Sequence, residues 1–179
     1  MKFYLIRHGI AEKSDTQSDL ERDLTLEGEK KLKKYYKKIS KSFKKPDVLL
    51  CSTAKRSIKT AEIIEEIWKA KTTIQHEKLN PSASIEDYLS VLNEHLTEES
   101  MISSFKMALV THEPDLSNFA NYLLNDSIEY EEIEKKIKIA FYPQSFDFKL
   151  KKGSLMIIEW NGKRGTLQFY ATPAILKKL

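Results

Sequence analysis

The sequence predicts a three-layer α/β/α domain covering residues 1–179, with a mostly parallel sheet and an antiparallel edge strand. Three observations predict it. Short apolar runs alternate along the chain with stretches of helical periodicity, the order that produces parallel strands joined by crossover helices. Near the end, Trp160-Asn161-Gly162 falls between two such runs and marks a hairpin, which turns the last strands antiparallel. The composition, 41% hydrophobic with five glycines and five prolines in 179 residues, suits one folded domain with a real core and leaves no low-complexity tract.

Taken in order, the first element is a strand from Lys2 to Ile6, carried by Phe3-Tyr4-Leu5-Ile6. Thr25 is placed to cap a helix from Leu26 to Phe43, on which Leu32, Tyr35, Tyr36, Ile39 and Phe43 recur at helical spacing. A strand from Val48 to Cys51, a helix from Arg56 to Trp68 and a strand from Thr73 to His76 follow. Ser84 precedes a helix from Ile85 to Leu96, whose stripe of Tyr88, Leu89, Leu92 and Leu96 faces the core. Met107 to Thr111 is a strand, and Pro114 suits the first turn of a helix reaching Leu124. The acidic-basic stretch from Glu129 to Lys138 is expected to be a surface helix or an insertion. Strands at Ser154 to Trp160 and Thr166 to Ala171 close the chain.

The net charge of +4 is nearly all lysine. Lys30, Lys31, Lys33, Lys34, Lys37, Lys38, Lys41, Lys44 and Lys45 invite a nucleic-acid reading. The helical spacing of the apolar residues among them instead puts these lysines on the opposite, solvated face, so no nucleic-acid partner is expected. No apolar stretch approaches the roughly 20 residues of a membrane span. The first residues read as a strand ending in charge and not as a signal peptide, which makes the cytoplasm the expected compartment; the oligomeric state is not readable from the sequence, with a monomer favoured. The lone Cys51 has no internal partner, and the four histidines lack metal-ligand spacing, so neither a disulfide nor a metal or other cofactor is expected.

Arginine is scarce: Arg7, Arg22, Arg56 and Arg164 are all there are. A planar guanidinium grips a phosphoryl group through two parallel hydrogen bonds, which lysine cannot do. Arg7-His8-Gly9 closes the first strand, Arg56 follows the second, and His112 follows the run from Met107. In open α/β sheets ligands bind at the carboxyl ends of the strands, so these residues converge on one expected site.

Together with Arg22-Asp23-Leu24-Thr25-Leu26-Glu27-Gly28, Ser52-Thr53-Ala54-Lys55-Arg56-Ser57-Ile58-Lys59-Thr60-Ala61, Thr111-His112-Glu113-Pro114-Asp115-Leu116-Ser117 and the stretch from Lys151-Lys152-Gly153-Ser154 to Pro173, these residues resemble the histidine phosphatase superfamily, and within it the SixA-type phosphohistidine phosphatases. The match covers nearly the whole chain and is poorest between about Ser127 and Leu150. The resemblance implies a phosphoglycerate mutase-like fold and a phosphatase whose catalytic residues are His8, Arg7, Arg56 and His112. His8 would attack the phosphoryl group and carry it as phosphohistidine, while Arg7, Arg56 and His112 bind its oxygens. Gly9 is expected to let the backbone approach the phosphate closely. The implied substrate is a phosphohistidine on a signalling protein, such as a phosphotransfer domain.

One departure bears on substrate. Phosphomonoesterases of the superfamily use a carboxylate after the third strand to protonate the leaving oxygen, and here that region reads Leu79-Asn80-Pro81-Ser82. Glu12, Glu77, Glu86 and Glu113 are nearby, with none singled out. An alkoxide gains about a hundredfold or more from such an acid, whereas imidazole leaves with its ring nitrogen already protonated. The missing carboxylate therefore favours a phosphohistidine over a sugar phosphate. Two other readings stand beside this one. Cys51 and Arg56 lie one residue too close for a cysteine phosphatase loop, and no glycine intervenes. A phosphate-recognition module without turnover would have lost the nucleophile or a clamp residue, and all are present.

Overall fold

The first strand, β1 (Lys2–Arg7), alternates its side chains between two apolar layers: Phe3 and Leu5 pack on one face of the sheet, Tyr4 and Ile6 on the other. Burial on both faces is what a central strand of a three-layer sandwich requires. The computed structural model describes residues 1–13, 16, 18–70, 72–97, 104–125, 130–133, 136–139 and 148–177. After β1 come α1 (Leu26–Ile39), β2 (Val48–Cys51), α2 (Lys55–Trp68), β3 (Thr73–Gln75), α3 (Ile85–His95), β4 (Lys106–Thr111) and α4 (Asp115–Leu124). Then follow β5 (Tyr130–Ile133), β6 (Lys136–Ile139), β7 (Leu155–Trp160) and β8 (Gly165–Ala171). Short 3₁₀ turns lie at Asp19–Glu21, Glu77–Leu79 and Pro173–Lys177.

Six strands form one sheet in the order β3-β2-β4-β1-β7-β8. The first four run parallel, β7 pairs antiparallel with β1, and β8 pairs antiparallel with β7, giving the expected antiparallel edge. On one face α1 and α2 bury Leu32, Tyr35, Tyr36, Ile64 and Trp68; on the other α3 and α4 bury Tyr88, Leu92, Leu116 and Phe119. Among the described residues no helix is long and apolar enough to cross a membrane.

Two local expectations need correction. Helix α1 begins as expected, with the Thr25 hydroxyl accepting from Gly28 N at 3.0 Å, but ends at Ile39 and not at Phe43. Phe43 still reaches the core, from the following turn, with its ring 4.6 Å from that of Phe169. The segment expected as a surface helix or insertion contains the separate antiparallel pair β5–β6, so the helical alternative fails there. Its Lys136-Ile137-Lys138-Ile139 alternates with the period of two that a half-covered strand has.

The parallel strands β1, β2 and β4 end side by side. Beyond those ends, His8 N donates to Thr111 O and Ser52 N to Val110 O, each at 3.1 Å, which extends the ladder into the loops that follow. Gly153, just before β7, donates to the carbonyls of both Arg7 and His8 at 3.0 Å. Its φ of +72° is a left-handed conformation that favours glycine.

Candidate active site

His8 leaves β1 into a nearly closed space, 6% exposed. Its Nδ1 lies 2.8 Å from the carbonyl oxygen of Gly9. A carbonyl only accepts, so in the neutral ring Nδ1 carries the proton and Nε2 keeps its lone pair. That lone pair accepts from Arg56 Nε at 3.3 Å. Burial lowers the His8 pKa to about 2, helped by His112, Arg56 and Arg7 and opposed by the Gly9 carbonyl. The ring is therefore neutral, with its Nε2 lone pair engaged by Arg56 Nε.

Arg56 enters from the first turn of α2 and is 4% exposed. Its Nη2 stands 3.2 Å from His112 Nδ1, which comes from the end of β4. Because a guanidinium only donates, Nδ1 of His112 is the acceptor and Nε2 carries the proton. Nε2 donates to Ser52 Oγ at 2.7 Å, and Ser52 Oγ donates to Asn80 Oδ1 at 2.8 Å. Asn80 also accepts from Thr53 N and Thr53 Oγ1 at 3.0 and 2.9 Å. The residue at the place of the missing acid thus ties down the loop that leads into Arg56. Burial lowers His112 to about 3, with Arg56 and Arg7 acting in the same direction and Asp19 against them. The two histidine rings lie 5.1 Å apart.

Sequence reasoning missed Asp19, which lies in a 3₁₀ turn over the site. Its Oδ2 accepts from Arg56 Nη2 at 2.6 Å, and its backbone oxygen accepts from Arg56 Nη1. Arg22 Nη1 donates to the other carboxylate oxygen at 2.7 Å, while Arg22 Nε holds Glu12 O at 2.8 Å. Burial pushes the Asp19 carboxyl up, but the hydrogen bonds and charges of Arg56 and Arg22 more than offset this and hold it below its usual value. With Nη1 held by Asp19, Arg56 is rotated so that Nε and Nη2 point at His8 and His112. Arg22 acts on the site only through Asp19. No periodicity or capping pattern marks Asp19 in the sequence.

Arg7 donates through Nη1 to Leu150 O at 2.8 Å, and its Nε is buried without a hydrogen-bond partner among the described residues. Its charge is felt at both histidines. None of the carboxylates considered as acids, Glu12, Glu77, Glu86 and Glu113, hydrogen-bonds to His8, His112 or Arg56 among the described residues. Glu77 and Glu86 are exposed on a 3₁₀ turn and on α3. Glu113 accepts from Ser117 Oγ at 2.9 and 2.8 Å and from Leu150 N at 3.2 Å. Packing adds a reason for Gly9 that the sequence hides. A Cβ there would lie 2.5 Å from Leu32 Cδ1 and 3.1 Å from Leu24 Cδ2, so packing against α1 excludes a side chain. The Gly9 amide donates to Thr60 Oγ1 at 3.1 Å. Cys51 is fully buried, and burial, reinforced by Glu62 and Glu65, pushes its thiol up to about 12, which leaves no thiolate for the cysteine mechanism. His76 caps the 3₁₀ turn at Glu77–Leu79 and contacts Glu94 at 3.0 Å, away from this cluster. No group of three or more potential metal ligands occurs among the described residues.

Two histidines buried in the neutral form make stability depend on pH. An unfolded histidine takes up its proton near pH 6.5, whereas folded His8 and His112 wait until about 2 and about 3. Their contribution is complete above pH 6.5 and is lost as pH falls toward those values, at about 1.4 kcal/mol per pH unit for each histidine. Near the carboxylate range the raised Glu113 and Asp115 act in the opposite direction and lowered carboxylates such as Asp19 in the same one, so the histidines alone set the slope between pH 6.5 and 5. Urea unfolding across that window should show a smaller slope for His112→Asn, by one proton. Equal slopes would mean that His112 is already protonated in the fold.

Residues 3–81 match the histidine phosphatase superfamily (branch 1). The fold is similar to that of the protein histidine phosphatase SixA complexed with tungstate: TM-score 0.74, 17% identity, covering 98% of this chain and 99% of that one. A protein from Agrobacterium tumefaciens assigned as the phosphohistidine phosphatase SixA gives 0.70 at 18% identity, covering 96% and 97%. A mycobacterial glucosyl-3-phosphoglycerate phosphatase gives 0.65 at 14%, covering 93% and 96%. Among curated proteins no sequence matches. At these identities the neighbours speak for the fold alone. Residues 3–81, which include Arg7-His8-Gly9 and Arg56, are thus similar to the histidine phosphatase superfamily in sequence, and the fold agrees with that of these neighbours along nearly the whole chain.

Proposed function

We propose that this chain is a phosphatase that works through a phosphohistidine intermediate on His8 and removes phosphate from phosphohistidine on a signalling protein. The observation that carries this reading is the pairing of an unprotonated His8 Nε2 with the Nε–Nη2 edge of Arg56, 3.3 Å away, in a buried space closed by His112. A phosphoryl group seated there would draw the Arg56 donors onto its oxygens and so release the Nε2 lone pair for in-line attack on phosphorus. Such positioning and charge stabilisation supply most of the catalysis of phosphoryl transfer. The P–N bond to the substrate imidazole breaks as the bond to His8 Nε2 forms. In the second step water attacks phosphorus and releases inorganic phosphate and a neutral His8. An incoming phosphoryl dianion favours protonated His112, whose Nδ1 then turns from acceptor to donor toward a phosphoryl oxygen.

The leaving group selects the substrate class. Asp19, the one carboxylate hydrogen-bonded to this cluster among the described residues, is held ionised by two guanidiniums and is a poor proton donor. Imidazole departs without such a donor, and an alkoxide does not. A second reading, a small-molecule phosphomonoesterase, has one observation in its favour: burial raises the Glu113 carboxyl within the field of Arg7. Phosphate release from a histidine-phosphorylated phosphotransfer domain, run beside p-nitrophenyl phosphate and a sugar phosphate, separates the two. Preference for the histidine phosphate is expected. Faster turnover of the sugar phosphate would overturn the substrate assignment, and no turnover of any of them would favour a phosphate-recognition module.

Asp19 is a positioning residue in this scheme. Asp19→Ala frees Nη2 of Arg56 from the carboxylate, leaving Nη1 on the backbone oxygen of residue 19, and should lower kcat on p-nitrophenyl phosphate by about tenfold, with Asp19→Asn between the two. Unchanged kcat in both variants would remove Asp19 from the account.

A further inference from the structure

A cavity of about 940 Å³ opens beside the candidate active site and shares Arg7 with it. Its other cations come from two separate segments, Lys31 and Lys34 from α1 and Lys151 and Lys152 from the turn before β7. Among the described residues no acidic side chain lines it. Lys31 has a partner on its own helix, Glu27 at 2.5 Å. Lys34, Lys151 and Lys152 form no ion pair among the described residues. Lys152 shows the consequence: its pKa is lowered by burial and then by the nearby positive charges of Arg7, Arg22, Lys13 and Arg56. Lys34, Lys151 and Lys152 thus gather like charge with no ion-pair partner among the described residues, which costs stability unless an external anion gains from it.

We propose that this groove docks an acidic segment of the phosphorylated protein substrate, running from the phosphoryl pocket across Arg7 and between α1 and the turn before β7. The proposal rests on the phosphohistidine reading above. Two features favour a polypeptide over a second small anion. The cations are spread over separate segments along a space many times larger than one phosphate. Apolar surface from Ile10, Tyr170 and Pro173 lies among them, as a segment with alternating acidic and apolar side chains requires. The lysines of α1 are then only partly a solvated face, since Lys31 and Lys34 border the site.

Charges at the rim of an interface act on association and are screened by salt. The probes are two dye-labelled peptides with a central histidine, one flanked by glutamates and one by glutamines, each with and without phosphate on that histidine. Fluorescence anisotropy at low salt should show the native protein binding the glutamate-flanked peptide about tenfold more tightly, phosphorylated or not, with the difference shrinking in high salt. In the double variant Lys34→Glu with Lys151→Glu the preference should vanish or invert, and p-nitrophenyl phosphate turnover should stay within about twofold of native. Equal binding of the two peptides by native protein, or a preference that survives the double variant, overturns the groove. Failure of the phosphohistidine reading looks different. Neither phosphopeptide is then hydrolysed while p-nitrophenyl phosphate is, and the unphosphorylated pair still decides the groove.

Discussion

His8→Ala is expected to abolish turnover of every phosphorylated substrate, a loss at least on the order of 10⁴-fold, because it removes the atom to which phosphorus is transferred. The fold should survive. Alanine keeps the backbone bonds of residue 8 to Thr111 O and from Gly153 N; the His8 side chain adds only hydrogen-bond contacts to its neighbour's carbonyl and to Arg56, and neither ties distant elements of the core together. The comparison that checks this is initial velocity on p-nitrophenyl phosphate for native and variant protein, with circular dichroism to confirm folding. A folded variant that retains more than a few per cent of activity would mean that phosphorus never resides on His8. The pH dependence sharpens the expectation. With His8 held neutral down to about pH 2, kcat/KM should show no acid limb near 6.5 from the nucleophile.

Arg56→Ala should cost about a hundredfold to a thousandfold in kcat, the scale of removing one preorganised donor from a developing negative charge. Three parts of the site meet at this residue: the lone pair of His8, Nδ1 of His112 and the Asp19 carboxylate. Its loss leaves Asp19 with Arg22 and with solvent, since the Asp19 side chain is 50% exposed. No charge is then stranded in the core. The start of α2 is held by other means, the Thr60 hydroxyl on the carbonyl of residue 56 at 2.7 Å and the Asn80 side chain on Thr53. The thermal midpoint should therefore move little while kcat falls. Arg56→Lys restores the charge without the planar fork and should recover only part of the rate. Full recovery by lysine would mean that charge, and not the geometry of the fork, is what the site uses.

Much of this was legible in the sequence because it depends on local rules. Phe3-Tyr4-Leu5-Ile6 reads as a strand buried on both faces, Thr25 and Ser84 read as caps, and both cap their helices as expected. That Arg7, His8, Arg56 and His112 meet follows from topology, since parallel strands bring their carboxyl ends together. What stayed hidden depends on contacts between segments far apart in sequence. Asp19 lies in a segment without periodicity, and only the folded chain sets it on Arg56, 37 positions away. Gly9 looked like a residue kept small for the phosphate, and the atoms that exclude a side chain belong to Leu32 and Leu24. Asn80 looked like an absence, the place where an acid was missing, and is an acceptor for three donors from Ser52 and Thr53. The helix drawn through to Phe43 came from a contact that a turn makes equally well.

The central claim is that phosphorus rests on Nε2 of His8 between two displacements. Rapid mixing of native protein with excess phosphorylated substrate, an alkaline quench within the first turnover, and mass spectrometry of the proteolytic peptides test it most directly. The account predicts a phosphoryl group on the peptide containing His8, stable to alkali, labile to acid, formed as a burst and absent from His8→Ala. Turnover that proceeds at full rate while no peptide ever carries the phosphoryl group would contradict it and point to direct attack by water.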